Sequence, residues 1–88
     1  MIELPAHRIK RLAMRSMRRG IKEMDIILSA YATENLAKMD DVKITLYDHL
    51  LDENDQDLYQ WVTGQVVAPD KFVQIIAEIS VQMQCVKA

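Results

Sequence analysis

Apolar positions recur along the chain at three- and four-residue steps, the spacing typical of helices that bury one face. In the N-terminal segment the positions on one such face are Ile9, Leu12, Ala13, Ser16 and Met17. We predict a first helix of about three turns after Pro5. Gly20 is expected to end it in the left-handed conformation, which glycine adopts readily.

The second helix is predicted from about Ile21 to Leu36, and a third begins after Asp40, whose side chain can cap it. The buried positions expected in the second helix are Ile21, Met24, Ile27, Leu28, Tyr31 and Ala32. Those expected in the third are Val42, Leu46, Tyr47 and Leu50. Two antiparallel helices would then precede a third on the same core.

A fourth, short helix is predicted after the capping residue Asn54 and is closed by Gly64. Its inward residues would be Leu58, Trp61 and Val62. Pro69 is expected at the first position of a fifth helix, whose apolar face is Phe72, Ile75, Ile76, Ile79 and Met83. No two-residue alternation persists, so residues 1–88 are predicted to form one all-α domain, a compact five-helix bundle.

Charge is distributed unevenly along this pattern. Residues 1–23 contain seven Lys and Arg against two acids, a net of +5, whereas residues 24–88 contain four against eleven, a net of −7. The basic positions on the polar face of the first helix are Arg8, Arg11, Arg15, Arg18 and Lys22. They predict a cationic face that steers association with a partner.

Candidate catalytic chemistry is nearly absent. His7, His49 and Cys85 are far apart, so we expect no metal site and no catalytic residue. One cysteine cannot form an internal disulfide, which fits a reducing compartment, and no apolar run is long enough to span a membrane. From the residues alone three functions stay open: a binding module with a cationic face, a nucleic-acid-binding module, or a small enzyme that acts on an anionic substrate.

A set of spaced motifs narrows this choice. Arg19-Gly20-Ile21-Lys22-Glu23 resembles the Arg-Gly-x-x-Glu signature of the small flavinylation factors of succinate dehydrogenase. The hexapeptide at 23–28 and the segment Leu50–Trp61 also resemble that family, in its order and spacing, over roughly residues 8 to 64. One departure is Gln56, where relatives often have proline, and it affects only the start of a helix.

The resemblance implies an assembly factor of the chaperone type, not an enzyme. Its expected partner is the flavoprotein subunit of succinate dehydrogenase, or in some bacteria of fumarate reductase, and no nucleic acid is expected. FAD would be the cofactor that becomes attached covalently to a histidine of the partner. Whether the factor itself binds FAD is left open.

The same resemblance implies the residues that contact the partner. Arg19, Gly20 and Glu23 would form the functional motif, and Asp25 also matches the family. The flanking partner-binding positions would be Arg8, Arg11, Arg15 and Arg18. Because the N-terminus lacks the apolar run of a signal peptide, we expect a cytoplasmic location.

Overall fold

The computed structural model of the chain describes residues 4–17 and 19–87, except for the side chains of Pro5 and of residues 84–87. Five α-helices follow one another: α1 (Pro5–Met17), α2 (Lys22–Asn35), α3 (Asp41–Leu50), α4 (Asp55–Val62) and α5 (Val73–Lys87). A 3-10 turn, Leu36–Lys38, follows α2. The described residues contain no strand, so the prediction of an all-α five-helix fold is confirmed.

Two predicted helix caps are confirmed. The Asp40 carboxylate accepts a hydrogen bond from the Lys43 backbone N–H at 2.8 Å, which begins α3. The Asn54 side chain accepts one from the Gln56 N–H, also at 2.8 Å, which begins α4. Each cap satisfies a backbone donor that has no partner within its own helix, and therefore fixes where that helix starts.

Of the two residues expected to bound the α4–α5 connection, Gly64 behaves as predicted and Pro69 does not. Gly64 has φ +83°, the left-handed conformation that was expected to close α4. Pro69 does not open α5, which begins only at Val73. The Phe72 N–H donates to the Pro69 carbonyl at 2.8 Å and closes a separate turn before the helix.

The core is formed by buried faces of all five helices, as the apolar spacing predicted. Its largest fully buried side chains are Tyr31, Tyr47, Phe72, Leu12, Met24, Leu28, Leu36, Leu50, Leu58, Ile75, Ile79 and Val62. The rings of Tyr31 and Tyr47 lie 5.7 Å apart at the centre. Trp61 is only partly buried and packs beside Phe72, with ring centroids 6.1 Å apart.

Two positions predicted to be buried are exposed. Val42 is 79% exposed, because α3 turns Ile44, Tyr47 and Leu50 inward and leaves its first turn in solvent. Met17 is 56% exposed, since the helix ends there and the buried residue on that turn is Ser16.

The helices α1 and α2 form an antiparallel pair. Only residues 18–21 separate them, and the 3-10 turn at the far end of α2 still contacts α1, so the chain must reverse between them. Within the described residues no helix is both long enough and apolar enough to cross a membrane.

Candidate functional site

The motif segment, residues 19–23, lies between α1 and the first turn of α2. Its three signature residues have different surroundings: Arg19 is largely enclosed, Gly20 is exposed at its backbone, and Glu23 is exposed at the start of α2. Arg18, the fourth basic residue expected to bind a partner, lies outside the described residues. The three residues of the motif lie close together in the sequence, but they differ in how accessible they are to another molecule.

Arg19 is bound within the protein. Its guanidinium lies 2.6 Å from Asp55 Oδ1, and their side chains are only 10% and 15% exposed. The same guanidinium donates to the backbone carbonyls of Leu51 at 2.9 Å and Glu53 at 3.2 Å. Arg19 thus ties the α1–α2 connection to the α3–α4 loop, and its three partners are held by the planar, multiple-donor geometry that lysine lacks.

Gly20 is not the left-handed helix cap that we predicted. Its φ is outside the positive region, and its backbone N–H donates to Asp55 Oδ2 instead. A Cβ added at Gly20 would lie 3.0 Å from that carboxylate oxygen. Glycine lets the Asp55 carboxylate approach the backbone closely without this crowding.

Glu23 and Asp25 occupy the first turn of α2, where negative charge is favoured by the helix dipole. The Glu23 carboxylate is exposed and forms no hydrogen bond or ion pair with any described residue. Asp25 is half-buried, and its carboxylate accepts a hydrogen bond from Ser29 Oγ at 3.4 Å. Of the two, Glu23 is therefore the carboxylate that is available to another molecule.

The other predicted partner-binding arginines form ion pairs along α3. Arg8 lies 2.9 Å from Asp41, Arg11 binds both carboxylate oxygens of Asp48 at 2.9 and 3.3 Å, and Arg15 contacts Asp48 at 2.8 Å and Asp52 at 2.6 Å. We call Arg8, Arg11, Arg15 and Arg19, with these acids and Asp55, the arginine ladder.

The arginine ladder shows how the arginines of the predicted cationic face are paired within the protein. Each of its arginines faces at least one carboxylate, so much of the positive charge of α1 is neutralised inside the molecule. Paired residues are separated by 33 to 37 positions in the sequence throughout. A nearly constant separation means that α1 and α3 run in the same direction.

Electrostatics and burial perturb two groups between α1 and α3. Hydrogen bonds from Arg11 hold the pKa of the Asp48 carboxyl below its usual value, although burial acts in the opposite direction. Burial raises the pKa of Tyr47 to about 12. The Tyr47 hydroxyl is 2.6 Å from Ser16 Oγ, which in turn donates to the Leu12 carbonyl, so this buried polar contact is fully satisfied.

The histidines and acidic residues of the described part of the chain do not gather into a metal centre. No group of three His, Cys, Asp or Glu residues there could hold a metal ion. His7 and His49 are exposed on different helices, and the side chain of Cys85 lies outside the described residues.

The sequence reasoning missed the acidic half of the ladder. Asp48, Asp52 and Asp55 were not assigned to the site from the sequence, yet they bind the arginines of α1 and the motif. Their spacing of three to four residues, which matches that of the arginines, was the available signal.

Comparison with known proteins agrees with the motif positions. A family model described as "Flavinator of succinate dehydrogenase" matches residues 10–83. The chain is similar to proteins named "Succinate dehydrogenase assembly factor 2, mitochondrial". For that of Schizosaccharomyces japonicus the identity is 43% over 63 residues, which cover 72% of this chain and 44% of the relative.

Two further relatives have the same name. The protein of Schizosaccharomyces pombe is 38% identical over 74 residues, 82% of this chain and 53% of its own length. That of Aspergillus flavus is 47% identical over 64 residues, 73% of this chain and 22% of its own length. The chain thus spans between about a fifth and about half of the length of these curated relatives.

Proposed function

Because the chain belongs to the family of succinate dehydrogenase flavinators, we propose that it is an assembly factor for succinate dehydrogenase. In this proposal it binds the flavoprotein subunit, or that of fumarate reductase, and promotes covalent attachment of FAD there. The observation that supports it most directly is the Arg-Gly-x-x-Glu motif, which lies inside the matched residues 10–83. The factor acts as a chaperone, and the flavin chemistry takes place on the partner.

In this proposal the motif residues have separate tasks. Arg19 holds the α1–α2 connection in place through Asp55 and two loop carbonyls. The partner then meets the exposed backbone at Gly20 and the unpaired carboxylate of Glu23. A carboxylate fixed on a helix can form charge-assisted hydrogen bonds in one orientation, which suits it for recognition.

The two alternative functions are less well supported. A nucleic-acid phosphate would have to displace Asp41, Asp48 or Asp52 from the arginines of α1, so the ladder leaves little free charge for it. Turnover of a small anion meets the same obstacle. The expected cytoplasmic location stays a prediction, since the relatives named above are mitochondrial proteins.

The proposal is tested in cells whose native factor is replaced by variants of this chain. Covalent flavin on the flavoprotein subunit is read as in-gel fluorescence, with the amount of each variant measured in the same lysate. Glu23→Ala should lower flavin attachment, whereas the matched control Glu34→Ala, an exposed glutamate on the same helix, should not. Full flavin attachment in cells that lack the factor altogether would contradict the proposed function.

A further inference from the structure

An apolar cleft begins at the motif and runs along α2. Its volume is about 200 Å³, and one wall is formed by Glu23, Ile26, Ile27 and Ala30, which share one face of that helix. These residues span two helical turns, or about 10 Å at 1.5 Å per residue. Tyr59 from α4 and Met83 from α5 form the opposite side.

Most polar groups in the cleft are already satisfied. The Gln82 amide donates to the Ala30 carbonyl at 3.0 Å and accepts from Asn35 at 2.9 Å. Thr63 Oγ1 donates to the Tyr59 carbonyl at 2.7 Å. Among the described residues, the lining groups without a polar partner are the Glu23 carboxylate and the Tyr59 hydroxyl. The cleft therefore presents apolar walls with one negative charge at its N-terminal end.

The size of the cleft selects the kind of group that fits. A dry cavity of about 150 Å³ with apolar walls admits a benzene molecule, so about 200 Å³ suits one leucine, methionine or phenylalanine side chain. A three-ring flavin is larger than this group. Ile26 is 53% exposed at this site, so an incoming apolar group would cover surface that is now in contact with water.

We propose that this cleft is the anchor site for the flavoprotein subunit, and that it binds one large apolar side chain of the partner next to a lysine or arginine that pairs with Glu23. The inference rests on the proposed function and names the chemistry of the surface that the factor recognises. The apolar anchor would supply most of the affinity, because an exposed ion pair adds little. The cation would fix the orientation, because Glu23 is the one charged residue among the described residues that line the cleft.

The first test measures the affinity of the full chain for the purified flavoprotein subunit by calorimetry. Ala30→Phe fills the cleft without changing charge, and Ala37→Phe on the exposed 3-10 turn is its matched control. Ile26→Thr makes the lip polar, and Val42→Thr is its control on exposed α3 surface. We expect each cleft variant to weaken binding at least about tenfold and each control to bind as the wild type does.

The charge is tested by Glu23→Gln with Glu34→Gln as control. Glu23→Gln should weaken binding about threefold to tenfold and reduce its dependence on salt, since a screened ion pair is lost. A photo-crosslinking residue at Thr63, on the exposed edge of the cleft, should attach to a flavoprotein peptide. That peptide should contain a large apolar residue within three positions of a lysine or arginine.

The outcomes separate the two proposals. If the wild-type chain does not bind the flavoprotein subunit, both the proposed function and the anchor site are wrong. If it binds, and folded Ala30→Phe and Ile26→Thr variants bind equally well, only the anchor site is wrong. A crosslink to a second copy of this chain, or to a flavoprotein peptide without a neighbouring cation, would also overturn it.

Discussion

The ion pair between Arg19 and Asp55 allows a quantitative test of how the motif is held. Removing one partner of a fully buried pair costs about 3–5 kcal/mol, because the other charge stays buried without compensation. Here the side chains keep 10% and 15% exposure, and asparagine retains one carbonyl oxygen that can still accept a hydrogen bond. We therefore expect Asp55→Asn to lower the free energy of unfolding by about 2–3 kcal/mol.

Asp57→Asn is the matched control. Asp57 lies in the same first turn of α4, but it is exposed and has no ion pair with a described residue. Both changes remove negative charge from the helix N-terminus, an effect of about 0.3–1 kcal/mol, so the difference between them reports the contacts with Arg19 and Gly20. With an m value of about 1 kcal/mol per molar urea, the unfolding midpoint should fall by about 2–3 M for Asp55→Asn and by less than about 1 M for Asp57→Asn.

The assay is urea unfolding followed by circular dichroism, and a double-mutant cycle with Arg19→Met completes it. The coupling energy between positions 19 and 55 should be at least about 1 kcal/mol, because the two side chains are in direct contact. Equal midpoint shifts for Asp55→Asn and Asp57→Asn would refute this reasoning. Arg19 would then not stabilise the fold through Asp55, and the proposal that it positions Gly20 and Glu23 would be wrong.

Three further changes in stability follow from other contacts. Ser16→Ala should cost about 1–3 kcal/mol in urea unfolding, because it leaves the buried Tyr47 hydroxyl without its partner; Tyr47→Phe combined with it should recover part of that loss. Stability should fall below about pH 4, because the Asp48 carboxyl has a lower pKa in the folded protein than in the unfolded chain, so that protonation favours unfolding. It should fall again between about pH 10 and 12, where a tyrosine of the unfolded chain ionises but the buried Tyr47 does not. A pH series of thermal melts without either decline would contradict this. Gly64→Ala should cost about 1 kcal/mol through its positive φ alone, since nothing lies within 4 Å of the added Cβ, and a neutral result would contradict it.

The helices themselves were predictable from local chemistry. Asp40 and Asn54 cap α3 and α4 as expected, because a side chain that binds the backbone two or three residues later needs no tertiary contact. Pro69 was misjudged, because its carbonyl accepts the Phe72 N–H and closes a separate turn, so that α5 begins only afterwards, at Val73. Val42 was misjudged because helical spacing defines a face but not which end of that face other helices will cover.

The arrangement of the site depended on contacts that local patterns do not contain. The arginines of α1 are recognisable in the sequence, yet their carboxylates lie more than 30 positions away and meet them only because α1 and α3 run parallel. The role of Gly20 likewise depends on Asp55, which reaches it from the start of α4. The apolar cleft combines side chains of α2, α4 and α5, so no single stretch of sequence contains its pattern.

The acids of the arginine ladder are unevenly spaced, and this spacing determines how α1 is aligned along α3. If α1 slid by one helical turn towards the N-terminus of α3, Arg11 would face the neutral Thr45 and not Asp48. If it slid by one turn in the other direction, Arg8 would face Thr45 and not Asp41. The native alignment is therefore the one in which every arginine of the ladder reaches a carboxylate, and a displaced helix would lose at least one charge pair. Arg19 is the last arginine of the ladder and pairs with Asp55. The alignment of α1 with α3 therefore also fixes the position of Gly20 and Glu23 relative to the start of α4.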